Sequence, residues 1–228
     1  MIGTGNSIGI GSGNGLLSNT WGAGEELFHN DYYVIVLEQI GGDFLRNQIT
    51  REMWPDGDEG RFLYLWQGLN VKKPSGNSYY NTKGGGDPEP DTLWLSLETN
   101  AQAQGSWSGG GYFVDNTGYF QLNVQSDYIF HIALKSSDEF DVTINVVGQS
   151  TSIASLVFGS SAGAGIDYVL PRDGKWHAFE IPVSDLEAKG FTPGWIYDQN
   201  YLEFLLGGVS GKSLEMDAVF FYNPNASR

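Results

Sequence analysis

The 228-residue chain carries 12 Lys and Arg against 27 Asp and Glu, a formal charge of −15, so DNA and acidic membrane surfaces are repelled. It has no Cys, which excludes disulfides, zinc–thiolate sites and a cysteine nucleophile. No run of about 18 apolar residues is present, so no helix of the chain spans a membrane.

Residues 1–24 are rich in Gly, Asn, Ser and Thr and read as a flexible N-terminal segment ahead of a single domain over 25–228. This start lacks the basic flank and apolar stretch of a secretory leader. Strand signals then follow in series: Tyr32–Glu38, Arg61–Gln67, Thr92–Glu98, Gly111–Val114 and Gly118–Val124. Further strands are predicted at Tyr128–Lys135, Phe140–Val147, Ile153–Phe158, Trp176–Ile181, Tyr201–Leu206 and Leu214–Tyr222. Gly-, Asn- and Asp-rich clusters such as Gly84–Pro88, Ser108–Gly111, Asp115–Gly118 and Arg172–Lys175 separate them. Only Val183–Lys189 reads as helical. About ten short strands with such punctuation predict an all-β, antiparallel β-sandwich of the jelly-roll kind.

The Gly-rich stretches do not form nucleotide motifs. In Gly9–Asn14 an Asn replaces the last Gly of the dinucleotide pattern, and Gly211-Lys212-Ser213 lacks the first Gly of a phosphate loop. Gly5–Gly9 and Gly159–Gly163 match Gly-x-Ser-x-Gly by letter, but neither has the strand-then-helix context of a nucleophile elbow. Glu98, Glu139, Glu180, Glu203 and Glu215 lie on or near strands, so a glycosidase pair of carboxylates stays open as an alternative.

Aromatic residues, 14% of the chain, carry the strongest chemical signal. Pyranose rings present C–H faces that stack on Trp and Tyr, while amides, carboxylates and imidazoles bond the hydroxyls. Trp107, set among Gly and Ser, is the first candidate for such a platform. Trp94 shares a strand face with Ser96 and Glu98, Tyr79 and Tyr80 lie in a polar loop, and Trp66 shares a face with Phe62 and Tyr64. His131 and Lys135 fall on the strand face opposite Tyr128, Phe130, Ile132 and Leu134, and so read as lining a sheet face away from the core. For each of these residues ordinary packing or solvation is an equal alternative. The acidic loop Asp56–Glu59 suits a hard cation such as calcium, or simple solvation.

The stretch Asp173–Leu186, a turn leading into a strand with Trp176, then Pro182 and a helical bend, resembles β-sandwich carbohydrate-binding modules. Leu214–Tyr222 looks like the last strand of those modules. Ser126–Ser136, with Trp107–Tyr112, is similar to glycan-binding surface proteins of gut Bacteroidetes. The resemblance implies non-catalytic binding of a polysaccharide or oligosaccharide, an extracellular or cell-surface setting after removal of a leader, and a core role for Trp176. It also implies a structural calcium ion with Asp217 as a ligand. A glycoside hydrolase or polysaccharide lyase on the same fold is the runner-up, and a structural or adhesion module is the third reading.

Overall fold

The computed structural model describes residues 32–34, 61–65, 68–72, 95–101, 103, 108–114 and 122–225. In chain order its strands are β1 (Tyr32–Val34), β2 (Arg61–Leu65), β3 (Leu69–Lys72), β4 (Leu95–Thr99), β5 (Gly109–Val114), β6 (Leu122–Val124) and β7 (Ile129–Lys135). They continue as β8 (Val142–Val147), β9 (Ile153–Gly159), β10 (Tyr168–Val169), β11 (His177–Pro182), β12 (Gly194–Ile196), β13 (Gln199–Leu205) and β14 (Ser213–Tyr222).

Two six-stranded sheets form the domain. The first runs β11–β7–β14–β4–β3, with β1 also paired to β14. The second runs β10–β9–β8–β13–β5–β2. Every pairing is antiparallel except β9 with β10. The chain passes repeatedly from one sheet to the other, as in a jelly roll. A separate two-stranded sheet pairs β6 with β12.

Alternation along the strands explains the layers. Val142, Ile144 and Val146 of β8, Ala154, Leu156 and Phe158 of β9, and Leu202 and Phe204 of β13 are all buried. They meet Phe130, Ile132 and Leu134 of β7 and Ile181 of β11 in one core cluster. Rings cross between the layers: Phe158 lies 4.9 Å from Phe179, edge to face, and Tyr201 lies 5.6 Å from Phe221. An antiparallel β-sandwich with a shared interior is therefore what the sequence pattern specifies.

β14 departs from simple alternation. Its register with β7 slips between Asp217 and Phe220, so Ala218 and Val219 face the single residue Ile132. This is a β-bulge, and Ala218 takes the left-handed conformation at φ 52°. The bulge shifts parity, which is why Met216 before it and Val219 and Phe221 after it all point inward. It also frees a backbone N–H and C=O from the ladder, and both are satisfied by side chains. Asp217 Oδ1 accepts the Ala218 N–H at 2.8 Å, and His131 Nδ1 bonds the Ala218 carbonyl at 2.6 Å.

Among the described residues the one α-helix, α1 (Val183–Glu187), buries Val183 and Leu186 one turn apart. It stops because Gly190, at φ 104°, turns the chain and lets Phe191 N–H bond the Leu186 carbonyl. The strands β3, β10 and β12 carry too few residues for a clear period-2 pattern, and the sequence reading does not anticipate them. Trp176 requires a correction. It is partly exposed at the entry to β11 and is not part of the core cluster. The Lys135 ammonium sits 5.3 Å from its ring centroid. Alternation with exposed Ala178 and Glu180 places it on the outer side of the sheet, against the core role that the family resemblance implies.

Candidate functional site

The outer face of the second sheet carries an ordered polar row. Because Val142, Ile144, Val146, Leu202 and Phe204 point inward, Asn145 and Glu203 point out. Backbone register places Ser155 of β9 across from Asn145 of β8, Asn145 across from Glu203 of β13, and Glu203 across from Gly111 of β5. Gly111 in turn stands across from Tyr64 of β2. Five neighbouring strands thus contribute a hydroxyl, an amide, a carboxylate, a bare backbone position and a tyrosine position. At about 4.8 Å between strands the row is roughly 19 Å long.

The side chains hold one another. The Ser155 hydroxyl donates to Asn145 Oδ1 at 2.8 Å, and Asn145 Nδ2 donates to Glu203 Oε2 at 3.0 Å. Asn200 Nδ2 donates to the other carboxylate oxygen, Oε1, at 2.7 Å. A carboxylate only accepts, so both amides are fixed with their NH₂ groups toward Glu203. Each carboxylate oxygen and each NH₂ keeps bonding capacity beyond these contacts. The row is therefore a set of oriented acceptors and donors, partly open to solvent, whose ordering is complete before any ligand arrives. Glu203 is the only Asp or Glu among the residues of the six strands of this sheet.

The opposite sheet holds two of the residues singled out in the sequence. His131 does lie on the outer side of β7, but it is only 2% exposed. Its ring stacks on Phe220 with centroids 4.6 Å apart. Since a carbonyl only accepts, Nδ1 carries the proton bonded to Ala218, leaving Nε2 toward Glu180 Oε1 at 3.6 Å. Burial pushes the imidazole down to about 4, although the Ala218 bond acts the other way. Burial raises the Glu180 carboxyl, against the pull of a hydrogen bond from the Tyr222 hydroxyl. His131 is thus a neutral interior group that completes the bulge rather than a residue of an open face. Lys135 is partly buried and bridges to both Glu215 oxygens at 3.0 Å, beneath Trp176.

A pH dependence follows. Unfolded His titrates near 6.5, so as pH falls from about 6.5 toward 4 the unfolded chain takes up a proton that the folded chain refuses. Stability is present above that window and declines through it, by about 3 kcal/mol. Glu180 works in the opposite sense, because a raised carboxyl favours the fold at low pH. His131→Asn, whose amide can replace the Nδ1 donor, should flatten the fall in Tm between pH 6.5 and 4. Parallel curves for the two proteins would show that His131 is not held neutral.

Asp217 is fully buried and caps the Ala218 amide. Calcium takes six to eight oxygens, and among the described residues no group of three or more His, Asp or Glu side chains surrounds this carboxylate.

Trp107, Trp94, Tyr79, Tyr80 and Trp66 lie outside the described residues, as do the segment 1–24 and the acidic loop Asp56–Glu59. In sequence, Trp66 directly follows β2 and Trp107 stands two residues before β5, both strands of the sheet that bears the polar row. Asn145, Ser155 and Asn200 were not anticipated as site residues. Their signal is a polar side chain on alternate positions of an otherwise apolar strand, which becomes a row only when the register is known. The strand pattern does not single out Trp195 and Tyr197 either, and each is 47% exposed.

No family model matches the chain, and no curated protein matches it. Among solved structures it is similar to an exo-beta-agarase, at 10% identity over 77% of this chain and 24% of that one, with a TM-score of 0.44. The chain thus spans about a quarter of the agarase. It is similar to a family 30 carbohydrate-binding module of a cellulosomal cellulase of Clostridium thermocellum, at 13% identity over 74% of this chain and 96% of that one, with a TM-score of 0.43. A family 11 module from Clostridium thermocellum, in complex with a beta-1,3-1,4-mixed-linked tetrasaccharide, gives 12% identity over 74% and 91%, with a TM-score of 0.37. Identities and scores this low leave the functional reading to the residues themselves.

Proposed function

We propose that this chain binds a neutral polysaccharide or oligosaccharide, without cleaving it, on the outer face of the sheet that carries Glu203. The observation that carries the proposal is the row Ser155–Asn145–Glu203–Gly111–Tyr64. Sugar hydroxyls both donate and accept, and the row offers amide donors and carboxylate acceptors already aligned by mutual bonds. Bonds to the charged Glu203 are of the stronger, charge-assisted kind. The approach for a sugar ring is over Ser155, Asn145, Asn200 and Glu203, which are exposed or half-buried, whereas Gly111 at the far side of Glu203 is buried. A charge of −15 disfavours uronate-rich or sulfated glycans, which is why the ligand is neutral.

Binding is favoured over hydrolysis because glycosidases use two carboxylates facing each other across the scissile bond. Glu203 has no second Asp or Glu in the strands of its sheet. An extracellular or cell-surface setting, with capture of polysaccharide for uptake, goes with this reading. No helix among the described residues is long and apolar enough to cross a membrane. The test is retardation of the protein in native gels containing mixed-linkage β-glucan, xylan or galactomannan, with a reducing-sugar assay alongside. Retardation without release of reducing ends is expected. Failure to be retarded by any neutral polysaccharide, or rapid release of reducing ends, contradicts the proposal.

The structural calcium on Asp217 is a separate proposal, carried by the family resemblance alone. A cation bound only by the folded state raises Tm as its concentration passes its dissociation constant. Melting curves in millimolar calcium and in chelator decide it: a higher Tm in calcium supports the ion, and superimposed curves leave Asp217 as the cap of the bulge.

A further inference from the structure

The small β6–β12 sheet has one face in the core and one in solvent. Val124 and Ile196 are 1% and 0% exposed and belong to the core cluster. Trp195, between Gly194 and Ile196, therefore points outward, and Tyr197 points outward again one residue past the strand; each ring is 47% exposed. Asn123 is the register partner of Trp195. The Gln125 amide donates to Asn123 Oδ1 at 2.9 Å, so two amides lie together on this sheet.

The backbone beneath the rings is pinned on both sides. Upstream, the Gln149 N–H bonds the Thr192 carbonyl at 2.8 Å, and the Thr192 N–H bonds Ser152 Oγ at 2.8 Å. Gly194 sits at φ 128°, a conformation that L side chains rarely adopt, and its strand lies against the Gln149 side-chain amide. Downstream, Asp198 turns the chain at φ 50°, and the Gln199 side chain bonds the Gly148 carbonyl at 2.6 Å and the Thr151 N–H at 3.3 Å. Two exposed rings on a held backbone are oriented before any ligand is bound, which lowers the entropy cost of stacking. Two residues of strand separate them by about 6.7 Å.

We infer that Trp195 and Tyr197, with Asn123 and Gln125, form a second glycan site, one that stacks consecutive pyranose rings of an extended neutral chain. It rests on the reading of this protein as a glycan binder and adds a site remote in sequence from most of the Glu203 row. A polymer engaging both sites is held by avidity, whereas a short oligosaccharide occupies one site at a time.

The experiment uses the whole chain and two probes: a soluble neutral polysaccharide that retards the wild type in native gels, and a short oligosaccharide cut from it. Trp195→Ala should weaken polymer retardation roughly 5- to 100-fold, the range of ring-stacking deletions. It should leave oligosaccharide affinity at the Glu203 row unchanged. Trp195→Tyr should restore most of the retardation, and Tyr197→Ala should give an independent loss if Trp195→Ala folds poorly. Wild-type retardation in both Ala variants overturns the second site, as does loss of self-association in sedimentation without loss of retardation. If Glu203→Ala alone abolishes binding, the main reading stands and this site falls. If the Trp195 variant alone loses binding, this site stands and the Glu203 row falls. A wild type that no neutral polysaccharide retards overturns both.

Discussion

Glu203→Ala is expected to lower affinity for a bound neutral oligosaccharide by roughly 10- to 150-fold, the equivalent of about 1.5–3 kcal/mol for hydrogen bonds to a charged group. Two effects combine. The carboxylate acceptors for sugar hydroxyls are lost, and the Asn145 and Asn200 amides lose the group that orients them. Glu203→Gln is the sharper variant. A Gln side chain has one acceptor oxygen, so it can receive only one of the two amides, and its NH₂ faces the other. Affinity should fall while the fold stays intact, with stability changed by about 1 kcal/mol, because the row is partly solvent-exposed. Isothermal titration of both variants, with melting curves alongside, checks this. Wild-type affinity in Glu203→Gln would mean that the carboxylate takes no part in binding.

The largest stability effect is expected at Phe221. Its ring is fully buried and lies 5.1 Å from Phe130, 5.9 Å from Phe191 and 5.6 Å from Tyr201. It thus ties β14 and β7 of one sheet to β13 of the other and to the loop after α1. Phe221→Ala should cost about 3–5 kcal/mol, through lost burial and a cavity that packed β-sheets cannot close. For a domain of this size that corresponds to a fall in Tm of roughly 10 °C or more. Val169→Ala is the control: Val169 is 43% exposed, and its removal should be nearly silent. Comparable losses in the two variants would contradict the assignment of the core.

The layered fold was legible because it depends on a local signal, the alternation of apolar and polar residues. Strands such as Ile129–Lys135 and Val142–Val147 lie within two residues of the segments that alternation marks. Trp176 shows the strength of that signal, since alternation with Ala178 and Glu180 placed it correctly where family resemblance did not. The bulge in β14 was not legible. A left-handed residue is usually advertised by Gly, and here the position is Ala218. Without the bulge His131 reads as a face residue; with it, His131 is drawn onto the Ala218 carbonyl under Phe220.

The polar row was illegible for a different reason. Tyr64, Gly111, Asn145, Ser155 and Glu203 are scattered along the chain and converge only through the register of four strand pairs. Register is a tertiary property, set by which hydrophobic faces meet in the core. The Trp195–Tyr197 platform was closer to legible. An aromatic residue on either side of a single apolar Ile196, just after Pro193-Gly194, is a short alternating signal, but three residues of strand are too few to stand out.

Chemical-shift mapping with a neutral oligosaccharide that the protein binds tests the central claim most directly. Titration into isotope-labelled protein should move the resonances of Ser155, Asn145, Glu203, Asn200 and Gly111 together, with one dissociation constant. Shifts confined to the opposite sheet, around Glu180, Lys135 and Glu215, or no shifts at any neutral glycan, would contradict binding on the face of the second sheet.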